Sequence, residues 1–138
     1  MPEKSPFICS FTIRSDTRYL SALRSWIGAA ARVAGSGRLG KRERIALELA
    51  LVEAVDNAIF HAHRGDAARP IRVTLSLADG EAGLEVVDTG RGIGHLSGSL
   101  PEAMSEHGRG LFLMRSMMTS VASRVSNGRH ALRMRLSL

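Results

Sequence analysis

IRVTLSLADGEAGLEVVDTGRGIG, residues 71–94, reads as two strands joined by a tight turn and followed by a glycine-rich loop. Apolar residues alternate through IRVTLSL (71–77) and recur in GLEVVD (83–88), and the turn pair Asp79-Gly80 between them predicts a hairpin. Asp88 then closes the second strand as a fixed acceptor. Gly90, Gly92 and Gly94 release the backbone directly behind it, so that a flat or anionic ligand can approach closely. Taken alone, D-x-G-x-G is also an ordinary loop.

Working outward, FICSFTI (7–13) places Phe7, Cys9, Phe11 and Ile13 on one face, the period of a half-buried strand. Ser15 or Asp16 can cap the helix expected over 16–34, where Leu20, Leu23, Ile27 and Ala30 or Ala31 recur at helical spacing. A second helix is expected over about 41–63, apolar on nearly all sides through Ile45, Leu49, Leu51, Val52, Val55 and Ile59, and therefore central. A third is expected over about 110–119, and two last strands flank Asn127-Gly128, the second alternating Leu132, Met134, Leu136 and Leu138 with polar residues. The order βα, α, ββ, α, ββ predicts a two-layer α/β (α+β) sandwich: a mixed, mainly antiparallel sheet with about three helices on one face.

A chain of 138 residues suits one domain, 1–138, with no repeat and no interdomain linker. Its 44% hydrophobic and 23% charged residues describe a globular protein. The net charge of +6 comes from Lys and Arg spread along the sequence, and aromatics amount to only 4%, which argues against direct nucleic-acid binding and for a surface tolerant of anions. Cys9 is the single cysteine, so no intramolecular disulfide forms, and the polar MPEKSP start carries no signal-like apolar stretch. No run approaches the length of a membrane span. A cytoplasmic location is the simplest expectation.

On the second helix Glu53, Asn57 and His61 fall at i, i+4 and i+8, continued toward the start by Ala46 and Ala50. A polar stripe on an otherwise apolar helix meets solvent, partners within the protein, or a ligand. GRGL (108–111) opens the third predicted helix, whose free N–H groups and positive dipole end suit a phosphate. Its bland counterpart is a turn and a cap.

Three ordered segments carry more than any one. EAVDNAIFHA (53–62), VVDTGRGIG (86–94) and GRGLFLM (108–114) resemble the N, G1 and G2 boxes of the GHKL ATPases, the superfamily of gyrase, the histidine kinases and MutL, with the Bergerat ATP-binding fold. The resemblance spans about residues 7–138, and the layout is most similar to the bacterial anti-sigma-factor serine kinases.

That resemblance implies ATP and Mg²⁺ as ligands. Asp88 would accept from the adenine exocyclic amine, Asn57 would coordinate Mg²⁺, and Glu53 would act as the general base. Gly90, Gly92 and Gly94 would admit base and ribose, while Gly108, Arg109, Gly110 and Leu111 would meet the phosphates. Arg109 is either a γ-phosphate contact or a surface arginine, His61 is more simply a packing residue, and residues 95–107 stand where the family has its lid. The implied function is a serine/threonine kinase that phosphorylates an anti-anti-sigma protein and sequesters a sigma factor, with homodimers common in the family. The alternatives are a non-catalytic ATP-dependent binding module and a detached histidine-kinase-like domain. A self-contained histidine kinase is not expected, because the first histidine is His61, already inside the N box.

Two decoys fall away. GSGRLGK (35–41) fills the first seven positions of a P-loop, yet Arg42 stands where a Mg²⁺-binding Ser or Thr is needed, and a helix rather than a strand is expected before it. His61 and His63, two apart on a helix, point to different sides and make no metal pair, so nucleotide-bound Mg²⁺ is the sole metal expected.

Overall fold

The computed structural model describes the backbone of residues 5–35, 37–64, 66–89 and 106–138, and the side chains of all of these except 61 and 106–111. Strand β1 (Phe7–Arg14) leads through a single 3₁₀ turn (Thr17–Tyr19) into helix α1 (Leu20–Ala34). Helix α2 (Lys41–Asn57) follows and widens into a π-turn, Ala58–Ala62. Strands β2 (Pro70–Ala78) and β3 (Glu81–Asp88) come next, then helix α3 (Glu106–Met117) and strands β4 (Ser120–Ser126) and β5 (Arg129–Ser137).

The strands form one sheet in the order β1-β2-β3-β5-β4. The expected two-layer class holds, with one refinement: every pairing among the described strands is antiparallel, so the sheet is not mixed. Both hairpins are set by their turn residues. Asp79 and Gly80 have φ of 52° and 72°, Asn127 and Gly128 of 52° and 73°, the left-handed pairs of a type I′ turn whose twist matches the strands.

Strand alternation sorts the residues. Ile71, Val73, Leu75 and Leu77 of β2, Ala82, Leu84 and Val86 of β3, and Leu132 and Met134 of β5 are buried in one core with Leu23 and Ile27 of α1, Leu47, Leu51 and Val55 of α2, and Met114 of α3. Phe11 meets Trp26 edge-on, ring centroids 4.5 Å apart, fixing α1 over β1. The opposite face carries Arg14, Arg72, Arg124, Arg129, Arg133 and Arg135, all exposed, so much of the chain's positive charge lies away from the helices. Of these, Arg133 pairs with Glu85 at 2.5 Å.

Three expectations change in detail. Asp16, not Ser15, caps the first turn, its Oδ1 accepting from the Arg18 N–H at 2.9 Å. Helix α2 is central, packed on α1 and α3, but Ile45 and Leu49 are exposed; apolar residues all round a helix do not guarantee burial where no neighbour covers one side. The regular helix expected to residue 63 ends at Asn57, where the ladder shifts and the His63 N–H reaches back five residues to the Ala58 carbonyl at 2.9 Å. Helix α1 precedes residues 35–41, so the P-loop match lacks its strand. Among the described residues no helix is long and apolar enough to cross a membrane.

Candidate functional site

Helix α2 lies against β3, which brings its polar stripe to the sheet. At Asn57 the stripe does not meet solvent: that residue is only 6% exposed, and Ala50, earlier in the stripe, is fully buried. The Asn57 Nδ2 is buried with no hydrogen-bond partner among the described residues. An orphaned buried amide costs about 1–3 kcal/mol, which a protein tolerates where a ligand completes the group. One turn earlier, half-buried Glu53 has its carboxyl pushed above the ordinary carboxylate range, first by burial and then by the neighbouring Asp56 charge. Burial raises Asp56 as well.

Asp88 ends β3 on the inner face and is 2% exposed. Its Oδ2 accepts from His130 Nδ1 at 3.0 Å. This deeply buried carboxylate is therefore held by the protein at the point where the chain leaves the sheet.

His63, just past the π-turn, ties the end of α2 to the end of β3. The Thr89 N–H donates to His63 Nε2 at 3.0 Å, and His63 Nδ1 bonds the Ser15 hydroxyl at the end of β1. Since a backbone N–H only donates, Nε2 holds the lone pair and Nδ1 the proton. Burial pushes the His63 pKa down, against the opposing pull of Asp88. Arg69 Nη1 also donates to the Thr89 carbonyl at 2.9 Å, so the residue after Asp88 is anchored through both its N–H and its carbonyl.

Because the folded pKa of His63 lies below its ordinary value of about 6.5, its stabilising contribution is complete above that pH and is lost as pH falls toward the folded value. His63→Leu strands the Thr89 N–H and the Ser15 hydroxyl and is expected to lose about 2–4 kcal/mol in urea unfolding at pH 7.5. The gap to wild type narrows toward pH 5; equal stabilities at pH 7.5 would rule out this linking role.

Gly90, Gly92 and Gly94 lie outside the described residues, as does the expected lid apart from residues 106 and 107. Gly108, Arg109, Gly110 and Leu111 fall within the first turns of α3, which opens at Glu106 and ends at Met117, about four residues ahead of expectation at its start. They are helical, and the helix they were expected to open begins one turn earlier, since glycine near a helix start is tolerated. The side chains of Arg109, Leu111 and His61 lie outside the description.

Sequence reading passed over His63 and His130. His130 was detectable: it continues the inward series of Leu132 and Met134 by one step, which places an imidazole on the core face beside the Asn127-Gly128 turn. The role of His63 was hidden by the π-turn, which moves everything after Asn57 off the helical stripe.

The sequence pattern of the histidine kinase-like ATPase domain matches residues 13–136. No curated protein sequence matches the chain. Among solved structures, the RsbU and RsbW domains of a Mycobacterium tuberculosis protein are similar at TM-score 0.71 and 17% identity, over 96% of this chain and 32% of that one. The histidine kinase domain of the blue-light activated histidine kinase of Erythrobacter litoralis aligns at 0.59 and 18%, over 88% of this chain and 60% of that one. The Acinetobacter baumannii histidine kinase AdeS aligns at 0.51 and 15%, over 94% and 67%. The chain thus spans a third to two-thirds of these proteins, and at such identities the likeness concerns the fold. With the pattern matched over nearly its whole length, the chain belongs to the histidine kinase-like ATPase family.

Proposed function

We propose that this domain binds Mg-ATP beside α2 and acts as a serine/threonine kinase of the anti-sigma type, phosphorylating an anti-anti-sigma partner and holding a sigma factor when not so engaged. The observation that carries the nucleotide site is a pair of deeply buried polar groups in one region of the fold: the Asp88 carboxylate at the end of β3 and the Asn57 amide, whose Nδ2 has no partner among the described residues. A carboxylate suits an adenine amine, an amide oxygen suits a hard cation, and the amide N–H₂ is a donor that a phosphate oxygen would satisfy.

Asp88 accepts from the adenine amine and Asn57 offers its amide oxygen to Mg²⁺, which when bound neutralises phosphate charge. Gly90, Gly92 and Gly94 allow base and ribose to approach, and the N-terminal end of α3, which opens at Glu106 and runs through Gly108, Arg109, Gly110 and Leu111, turns its positive dipole end to the phosphates. Glu53 is the proton acceptor for the attacking hydroxyl, and burial makes its carboxylate more basic, as a general base near neutral pH needs. A pure binding module has no use for such a base, which favours the kinase.

The test is transfer of labelled γ-phosphate to a candidate anti-anti-sigma protein, ideally one encoded beside this chain. Phosphate on a partner serine or threonine supports the kinase. Nucleotide-dependent partner binding with no transfer would contradict it and assign a binding module instead.

A further inference from the structure

His130 is buried at 2% exposure and has no part in the reading above, yet it touches the carboxylate on which that reading turns. It stands on β5 directly across from Asp88 in the strand register. Its Nδ1 lies 3.0 Å from Asp88 Oδ2 and its Nε2 lies 2.6 Å from Ser123 Oγ on β4. Three adjacent strands therefore each supply one link of a chain that begins at exposed Ser123 and ends on Asp88.

We propose that His130 is a positioning residue for base recognition, holding the Asp88 carboxylate in the orientation that accepts from the 6-amino group of adenine. The inference rests on the Mg-ATP reading. Rotation of an aspartate carboxylate about its last torsion is broad and two-fold, and Asp88 is the last residue of β3, so a donor fixed on the neighbouring strand helps to set that angle. A carboxylate only accepts, so Nδ1 carries the proton and pins Oδ2; in a neutral ring Nε2 then accepts from the Ser123 hydroxyl, which pins the imidazole in turn. A base lacking the amine deprives the held carboxylate of that donor, a loss that is larger when the carboxylate is fixed than when it can turn away.

The experiment compares Mg-ATP with the triphosphate of purine riboside, which lacks only the 6-amino group, by calorimetry on the full chain. Wild type is expected to prefer ATP by at least about tenfold, the value of one charge-assisted hydrogen bond. His130→Leu should reduce the preference to under about threefold, and His130→Asn, whose amide nitrogen falls near the lost Nδ1, should keep it near wild type. A purely structural role would let both variants track stability and leave the ratio unchanged; an unchanged ratio in folded His130→Leu overturns the inference. Should that variant not fold, nitrogen-15 NMR of the wild-type imidazole decides: a proton on Nδ1 that persists when ATP is bound supports the role, and a neutral ring protonated on Nε2 overturns it. Absence of ATP binding by wild type would overturn the nucleotide reading itself, a distinct result.

Discussion

Glu53→Gln is expected to slow phosphoryl transfer to the partner by about 10²–10⁴-fold, the usual contribution of a general base, while Mg-ATP affinity stays near wild type. The two side chains are the same size, so the loss reports the proton acceptor rather than the shape of the site. Stability should move the other way. Folding raises the pKa of Glu53, so the folded state holds its proton more tightly than the unfolded one. Stability therefore falls as pH rises from the ordinary carboxylate range through the raised value, and the neutral glutamine escapes that loss. At pH 8 the variant should unfold no earlier than wild type, and the difference should close below about pH 4. Because Glu53 is half-exposed, the gain is small. Single-turnover transfer and thermal unfolding between pH 4 and 8 measure both; transfer at the wild-type rate would remove Glu53 from its role.

Asn57→Leu separates stability from binding still more sharply. The substitution keeps the heavy-atom count and branching of the side chain and removes a buried amide whose Nδ2 has no partner among the described residues. The ligand-free protein should be as stable as wild type or more so, by up to about 2 kcal/mol, the penalty of an unsatisfied buried group less some loss of packing fit. Nucleotide binding should weaken by about tenfold or more and lose its dependence on Mg²⁺, so that chelation lowers affinity in wild type and leaves the variant unchanged. Denaturant unfolding with and without nucleotide, in Mg²⁺ and in EDTA, provides the comparison. A marked loss of stability in the ligand-free variant would show instead that the amide serves the fold.

The legible parts of this protein are local. The alternation around Asp79-Gly80 and Asn127-Gly128 gives both hairpins, because turn chemistry and a period of two are written in a few consecutive residues. The spacing of Leu20, Leu23 and Ile27 gives α1 for the same reason. Asp88 and Asn57 were legible as polar residues in apolar segments, and both are buried.

What was not legible depends on the ladder or on the register between distant strands. No residue between Ala58 and Ala62 announces a π-turn, since alanine, isoleucine and phenylalanine suit a regular helix equally well. GRGL (108–111) was expected to open the third helix, but nothing in its residues shows that α3 already begins at Glu106. The bond between Asp88 and His130 joins residues 42 apart, and only the β3–β5 register shows that they face each other. The roles of Gly90, Gly92 and Gly94 rest on their sequence pattern alone.

The central claim is a nucleotide site whose base is read by Asp88, and calorimetric titration of Mg-ATP into wild type and into folded Asp88→Ala tests it most directly. The account predicts saturable binding to wild type that is lost in the variant, since a charge-assisted contact of about 1.5–3 kcal/mol, roughly 10–150-fold in affinity, disappears with the carboxylate. No binding by folded wild type at millimolar ATP, or equal binding by both proteins, would contradict it.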